Sequence, residues 1–487
     1  ASATGAVFRR PSEEPLNFDL GLIGGGTGIE MAFLMFDGLT FFDWDQKKVV
    51  PAAADSWDVS SDGLTYTFHL HPGMVWSDGS PLTAHDFEYA IKRNLDPTLG
   101  GTLTSYVYPI KGAEDYNRKK NPDPNSVAVT AKDDVTLEMT LNAVTPYWPV
   151  ILSLWTTFPI NKKSVDKGGA KWMEPANILT NGRYVMESWA HDQKMVLVRN
   201  EKFRGKKPSI QRVEYSIFQN PDAQGLTAFQ AGSLDEANVI ATNVDLVNND
   251  PNLSKLKRQI PVSGTWQLRI DMSNTRSALA NVNVRKALYL GIDRALLCKN
   301  ILKGLNTPSL TLLPPDIPSY DPKSGLVGTV ADAKKFLSDA GFPDGKGFPG
   351  FKLGFVPTQK IAQLVSEALV QMWKDNLGIT TASAFAVPTD WRQRIKTEKY
   401  DLYLGEWQSD YSDPYDWHNV IFDGDAWESH WSDPKYLDMI KKASVETDPD
   451  KRLQMYSAAE AYMIQDQMAT IPLYVDGELW VVQPWVQ

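Results

Sequence analysis

Residues 351–387 read "FKLGFVPTQKIAQLVSEALVQMWKDNLGITTASAFAV". Two short apolar runs, "FKLGFV" and "ITTASAFAV", flank a segment from Ile361 to Asn376 whose apolar residues recur at helical spacing over about four turns. Gly378 is placed to stop that helix, because glycine accepts the left-handed backbone of a C-terminal cap. Strand, helix and strand in this order predict a right-handed crossover and parallel pairing. After a further predicted helix, "TDWRQRIKTE" (389–398), the run "YDLYLGEW" (400–407) reads as another buried strand of a parallel or mixed sheet. The stretch "GEWQSDYSDPYDW" (405–417) follows directly, so Asp410 falls at the carboxyl-terminal rim of a strand, where open α/β sheets take ligands.

The chain around this unit has 487 residues, which gives a prior of about three domains. Hydrophobic residues make up 43% and charged residues 22%, an ordinary globular balance. No run approaches the roughly 18 apolar residues of a membrane-spanning helix, and "ASATGAVFRRPSEEP" lacks the basic-then-apolar order of a signal peptide, so a mature, soluble chain is expected. The net charge of −10 argues against nucleic acid or an acidic membrane surface as the main partner. The single cysteine, Cys298, excludes an internal disulfide framework and a thiolate metal cluster. It stands in "RALLCKNIL" beside Leu297, Ile301 and Leu302, and is expected to be a small buried apolar residue rather than a nucleophile.

Towards the amino terminus, Leu64, Tyr66, Phe68 and Leu70 alternate with Thr65, Thr67, His69 and His71, which predicts a half-buried strand after the turn Ser61-Asp62-Gly63. His69 and His71 share a face without a third ligand at metal spacing, and are expected on the surface. Thr83 followed by Asp86 resembles a capping box that opens the helix "HDFEYAIKRN". This α+β unit extends through "VAVTAKDDVTLEMTL" (127–141) to about residue 160. Asn181-Gly182 opens a predicted hairpin, and a helix from Asp222 to Ala231 is predicted to stop at Gly232. A new α/β region begins near residue 264, and in it Asp293 is placed to cap a helix.

Catalytic signals are poor. "IGGGTGIE" (23–30) misses both the dinucleotide and the phosphate-loop glycine patterns, and neither a serine elbow nor a His-Glu-x-x-His motif is present. Asp410 and Asp413 are a carboxylate pair of the kind a glycosidase uses, but acids beside a turn ordinarily cap it or face water. On the residues alone Asp410 reads as a turn cap and Trp407 as core.

The succession "AADSWDVSSDGLTYTFHLHPGMVWSDGSPLTAHDF", "KWMEPANILTNGRYVMESW", "VNVRKALYLGIDRALL" and "IPLYVDGELWVVQPWV" resembles the extracytoplasmic solute-binding proteins of peptide transporters, in the oligopeptide-binding branch, over nearly the whole chain. The resemblance implies an α/β, two-lobed periplasmic-binding-protein fold that closes over its ligand, with an added small α+β domain. It suggests 1–36, 162–263 and 471–487 as the first lobe, 37–161 as the added domain and 264–470 as the second lobe. It implies a non-enzymatic monomer without a cofactor, periplasmic or otherwise extracytoplasmic, that delivers peptides to the permease of an ABC importer. A lipid anchor stays open, as do the related branches that take dipeptides, nickel complexes or sugars.

The family's W-x-x-D-Y pattern stands here as Trp407 to Tyr411, which assigns Asp410 to the ligand's α-ammonium group. The backbone of Glu406, Trp407 and Gln408 would pair with the peptide as an added strand, with the segment of Gly24, Gly25 and Gly26 doing the same from the first lobe. The sequence also departs from the family. Where some members bring basic side chains to the peptide carboxylate, this chain has Leu404 and Ala362, leaving Arg392, Arg394 or Lys360 as substitutes. Which of Trp417, Trp427 and Trp431 face the ligand is left open.

Overall fold

The strand–helix–strand unit is present: Lys352–Phe355 and Ser383–Ala386 pair in parallel, and the helix Lys360–Leu377 joins them. Gly378 follows that helix at φ 72°, the backbone for which a glycine was expected there. The structure is a computed structural model, and it describes residues 6–23, 26–275, 277–356, 360–387, 401–423 and 430–486. The expected helix at 389–398, the basic residues Arg392 and Arg394, Trp427, and Gly24 and Gly25 lie outside the described residues.

Two units divide the chain. One comprises Ala1–Ile240, Val247–Arg258 and Trp480–Gln487, and the other Ala241–Leu246 and Gln259–Leu479. In the second, the strands run in the order Thr470–Val482, Lys257–Ile270, Leu402–Gln408, Lys352–Phe355, Ser383–Ala386. Leu402–Gln408 pairs antiparallel with Lys257–Ile270 and parallel with Lys352–Phe355, so the sheet is mixed. Leu268, Ile270, Leu353, Leu402 and Leu404 from the strands, and Val365, Leu369 and Trp373 from the long helix, are buried in one core. Trp417 is fully buried there too, and Trp431 packs on Tyr436 and Phe422. Cys298 lies in the same core, and burial pushes its thiol up to about 12, in keeping with an inert role.

The first unit carries two four-stranded sheets. One is ordered Ala54–Val59, Thr65–Leu70, Thr136–Thr140, Val129–Asp133, and the other Val7–Ser12, Arg212–Ile217, Lys194–Arg199, Tyr184–Ala190. The alternation read at 64–71 is realised, with Tyr66, Phe68 and Leu70 buried. His69 and His71 face solvent against Asp58 at 2.8 Å and Asp55 at 3.0 Å. Thr83 and Asp86 form the expected capping box before the helix Ala84–Asn94, the Thr83 N–H donating to Asp86 at 2.9 Å. The helix Pro221–Gln230 ends before Gly232, which takes φ 76°.

Candidate functional site

Strand Leu402–Gln408 leaves the core at its carboxyl end. Residues 402–405 are buried, Glu406 and Trp407 are half-buried and Gln408 is exposed. The pairing with Lys257–Ile270 sets opposite each other Tyr403 and Arg269, Gly405 and Gln267, Trp407 and Thr265. The Ser409 N–H donates to the Ser263 carbonyl at 2.7 Å and the Asp271 N–H to the Asp401 carbonyl at 3.3 Å. In an antiparallel ladder alternate residues bond the same neighbour, so the odd-numbered residues bond Lys257–Ile270 and Glu406 and Gln408 turn their amides to the other edge. Among the described residues, the strand on that edge is registered only against Leu402 and Tyr403. Among the described residues, then, no further strand is paired along the 406–408 edge.

Arg269 reaches that edge. Its guanidinium lies over Gly405, where a Cβ would meet its Nε at 2.8 Å and its Cζ at 2.9 Å, and its Nη2 donates to the Glu406 carbonyl at 2.6 Å. Only glycine leaves room for this crossing with Arg269 where it lies. On the opposite face, burial and then the neighbouring Asp476 carboxylate push Glu406 up to about 8, with Arg269 acting in the other direction.

Past Gln408 the chain turns over a buried carboxylate. Asp413 caps the short helix Pro414–His418, accepting from the Tyr415 N–H at 2.8 Å, and Pro414 fills the first helical position. Both Asp413 oxygens bind the buried Arg452 at 2.7 Å. Asp416, three residues after the cap, does not return to the cap's N–H as a capping-box acid would. Its Oδ2 instead accepts from the Asp410 N–H at 3.0 Å and the Trp407 indole N–H at 3.3 Å, with the Ser409 hydroxyl 3.3 Å away donating at 2.6 Å to the Tyr411 carbonyl. Asp410 itself is half-buried.

The structure therefore brings Glu406, Trp407, Gln408 and Asp410 together at one strand end. The cap of the following helix is Asp413, not Asp410. Gly26 precedes the helix Thr27–Met35 at φ 65°, ψ −147°, a backbone open to glycine alone, and a Cβ there would meet nothing within 4 Å. Leu404 and Ala362 are 1% exposed, so both positions serve the core. Sequence reading missed Asp416 and Arg269. The Asp-x-x-Asp spacing of 413–416 reads as a capping box and so hides the first, whereas the second needs the strand register.

The family model for bacterial extracellular solute-binding proteins, family 5 (middle), matches residues 48–429. The oligopeptide-binding protein OppA of Bacillus subtilis (strain 168) is 30% identical over 483 residues, covering 96% of this chain and 87% of that protein. The probable deoxycholate-binding periplasmic protein YgiS of Escherichia coli (strain K12) is 29% identical, covering 99% of this chain and 90% of that protein. Among solved structures, the unliganded open form of the murein tripeptide-binding protein MppA shares the fold at a TM-score of 0.86 and 24% identity, over 99% of this chain and 94% of that one. Two lobes of mixed α/β structure, expected from the sequence, are the fold of these proteins. The chain belongs to the bacterial extracellular solute-binding proteins, family 5.

Proposed function

We propose that this protein is the substrate-binding component of an ABC importer, capturing oligopeptides with a free amino terminus outside the cytoplasm and passing them unchanged to a permease. The observation that carries the reading is the backbone edge at 406–408, which pairs with no further strand among the described residues and runs directly into Asp410. An extended peptide adds to such an edge through main-chain hydrogen bonds that do not depend on its side chains. Asp410 at the end of the edge supplies the carboxylate for the ligand's ammonium group, a charged hydrogen bond of about 1.5–3 kcal/mol once shielded from water. Trp407 flanks the ligand and Gln408 continues the edge. The assignment of 37–161 as an added domain is supported by the four-stranded sheet that spans 54–140 and is separate from the sheet of 7–12 and 184–217.

A second reading takes its support from YgiS, a probable deoxycholate-binding protein, and would have the site take an acidic amphiphile. The electrostatics of the strand end oppose it, because the Asp410 carboxylate would meet a ligand carboxylate with like charge. Calorimetry with free-amino tri- to pentapeptides, their N-acetylated forms and deoxycholate separates the two. Free-amino peptides should bind reversibly and be recovered uncut by mass spectrometry, with the acetylated forms at least about tenfold weaker. Tight binding of deoxycholate or an oligosaccharide, with no peptide bound, overturns the proposal.

A further inference from the structure

His191 stands in the turn between strands Tyr184–Ala190 and Lys194–Arg199, at the surface of the first unit. Both of its ring nitrogens face carboxylates: Nδ1 lies 2.8 Å from Glu14 and Nε2 lies 3.3 Å from Glu174. The two acids come from separate segments, Glu14 just beyond strand Val7–Ser12 and Glu174 just beyond the helical turn Gly169–Lys171. Glu14 is held a second time, its other oxygen accepting the Asp192 N–H at 3.0 Å. The imidazole rests on the Trp189 ring, 4.1 Å away between centroids, and Trp189 meets Phe18 edge-on. The hairpin's own Glu187 and Lys194 are turned elsewhere, to Arg212 and Glu214, each at 2.7 Å. Glu13, Lys171 and Asp192 are the other charged residues on the three turns, but the charges that act most on His191 are those of Glu14 and Glu174.

A neutral imidazole has one N–H. It can donate to one of these carboxylates, and must then turn a lone pair towards the other. Only the imidazolium, with a proton on each nitrogen, serves both. We propose that His191 is a pH-operated latch: protonated, it ties the segments of Glu14 and Glu174 to the hairpin, and on giving its Nε2 proton to solvent it releases Glu174. Glu174 is the partner released because its contact is the longer one. Glu14, already anchored by the Asp192 N–H, keeps the remaining proton on Nδ1.

The electrostatics agree with the geometry. The hydrogen bond to Glu14 raises His191 above 6.5; burial acts the other way, and the bond to Glu174 and the two negative charges add to the rise. The folded protein therefore holds this proton more tightly than the unfolded chain does. The latch contributes fully below pH 6.5, and its contribution is lost as pH rises through the folded value. The His191 side chain is 53% exposed, so salt screens both contacts and the latch acts locally, on the segments it ties, rather than on global stability.

The test is NMR of the full chain with isotope-labelled histidine, at low salt. The chain has six histidines, and the His191 signal is the one lost in His191→Gln. Its titration midpoint should lie above 6.5 and should fall by about half a pH unit or more in Glu14→Gln and in Glu174→Gln. Above the midpoint the ring nitrogen shifts should report the Nδ1–H tautomer. Hydrogen exchange reads the released segment, because the Asn177 and Ile178 N–H groups bond the Glu174 carbonyl. At pH 5.5 these amides should exchange about twofold or more slowly in the parent than in His191→Gln, and at pH 8.5 the two proteins should match. A midpoint at or below 6.5, a midpoint unmoved in Glu174→Gln, or an Nε2–H tautomer above the midpoint overturns the inference. Equal exchange with and without His191 at both pH values overturns it too. None of these readouts depends on peptide binding.

Discussion

Around strand Val7–Ser12 in the first unit, buried carboxylates are met by arginine. Asp235, whose side chain is 2% exposed, takes Arg9 Nη2 at 2.7 Å and Nε at 2.9 Å. Asp19, 4% exposed, takes both terminal nitrogens of Arg93 at 2.6 and 2.7 Å. Arg10 pairs with Glu30 and with Glu236. In the second unit, Asp413 and Arg452 follow this rule, but Asp416 and Glu460 are fully buried and are held by neutral donors. A carboxylate clamped by arginine stays charged and pins two elements together. One whose burial outweighs the neutral N–H groups that hold it keeps its proton, and answers to a pH change that reaches it. The first arrangement is structural. The second is a sensor of pH.

The difference is broken most directly at its one crossing point. Arg452→Leu leaves the Asp413 carboxylate buried at the head of its helix without a counterion, a loss of about 3–5 kcal/mol. Urea unfolding at pH 7 should register that drop. A change below about 1 kcal/mol would mean that the pair contributes no more than a surface ion pair does.

Glu460 tests the other class. Its Oε1 accepts the Leu312 and Leu313 N–H groups at 2.8 and 2.9 Å, its Oε2 has no hydrogen-bond partner among the described residues, and burial raises it from 4.5 to about 8. Between those two values the folded protein holds a proton that the unfolded chain has released, so this group's contribution is greatest below pH 4.5 and falls as pH rises towards 8. Glu460→Gln keeps an acceptor for both N–H groups and removes the titration. The variant should be more stable than the parent by about 2–3 kcal/mol near pH 9, and no more stable near pH 5. Parallel stability curves for the two proteins across that range would remove Glu460 from the sensor class.

Asp410→Asn sharpens the contrast at the site. The amide preserves shape but cannot pair with an enclosed ammonium, so peptide affinity should fall by at least about tenfold, or 1.4 kcal/mol, in calorimetry. The melting temperature of the empty protein should barely move, because the half-buried Asp410 gives Asp416 a backbone N–H that the substitution keeps. A lowered melting temperature with unchanged affinity would return Asp410 to the structural class.

How much of this was legible in the sequence follows from the range of the interactions. The strand–helix–strand unit, the Thr83–Asp86 box and the hairpin after Asn181-Gly182 are set by neighbours a few residues apart, and the sequence reading found each. The strand end carrying Asp410 was legible for the same reason, since an apolar run stopping at Trp407 announces its own rim. Asp416 was not. Its spacing from Asp413 is that of a capping box, and nothing local says that the carboxylate turns back to the preceding loop instead. Arg269 was hidden further, because its place over Gly405 depends on the pairing of strands more than 130 residues apart in sequence, as the separation of 137 between Arg269 and Glu406 records.

The smallest expected effect belongs to a carboxylate whose task is wholly local. Asp293 was read from the sequence as a helix cap, and its Oδ1 accepts the Leu296 N–H at 2.8 Å at the start of Arg294–Leu296. It neither clamps an arginine across two elements nor borders the 406–408 edge, and a backbone N–H three residues on satisfies it. Asp293→Ala exposes that N–H to water and should cost about 1 kcal/mol in urea unfolding at pH 7. Peptide affinity should not change. A loss approaching that of Arg452→Leu would show that this cap also anchors Arg294, whose buried Nε donates to the Pro472 carbonyl at 2.9 Å, and that a third way of holding charge operates in the second unit.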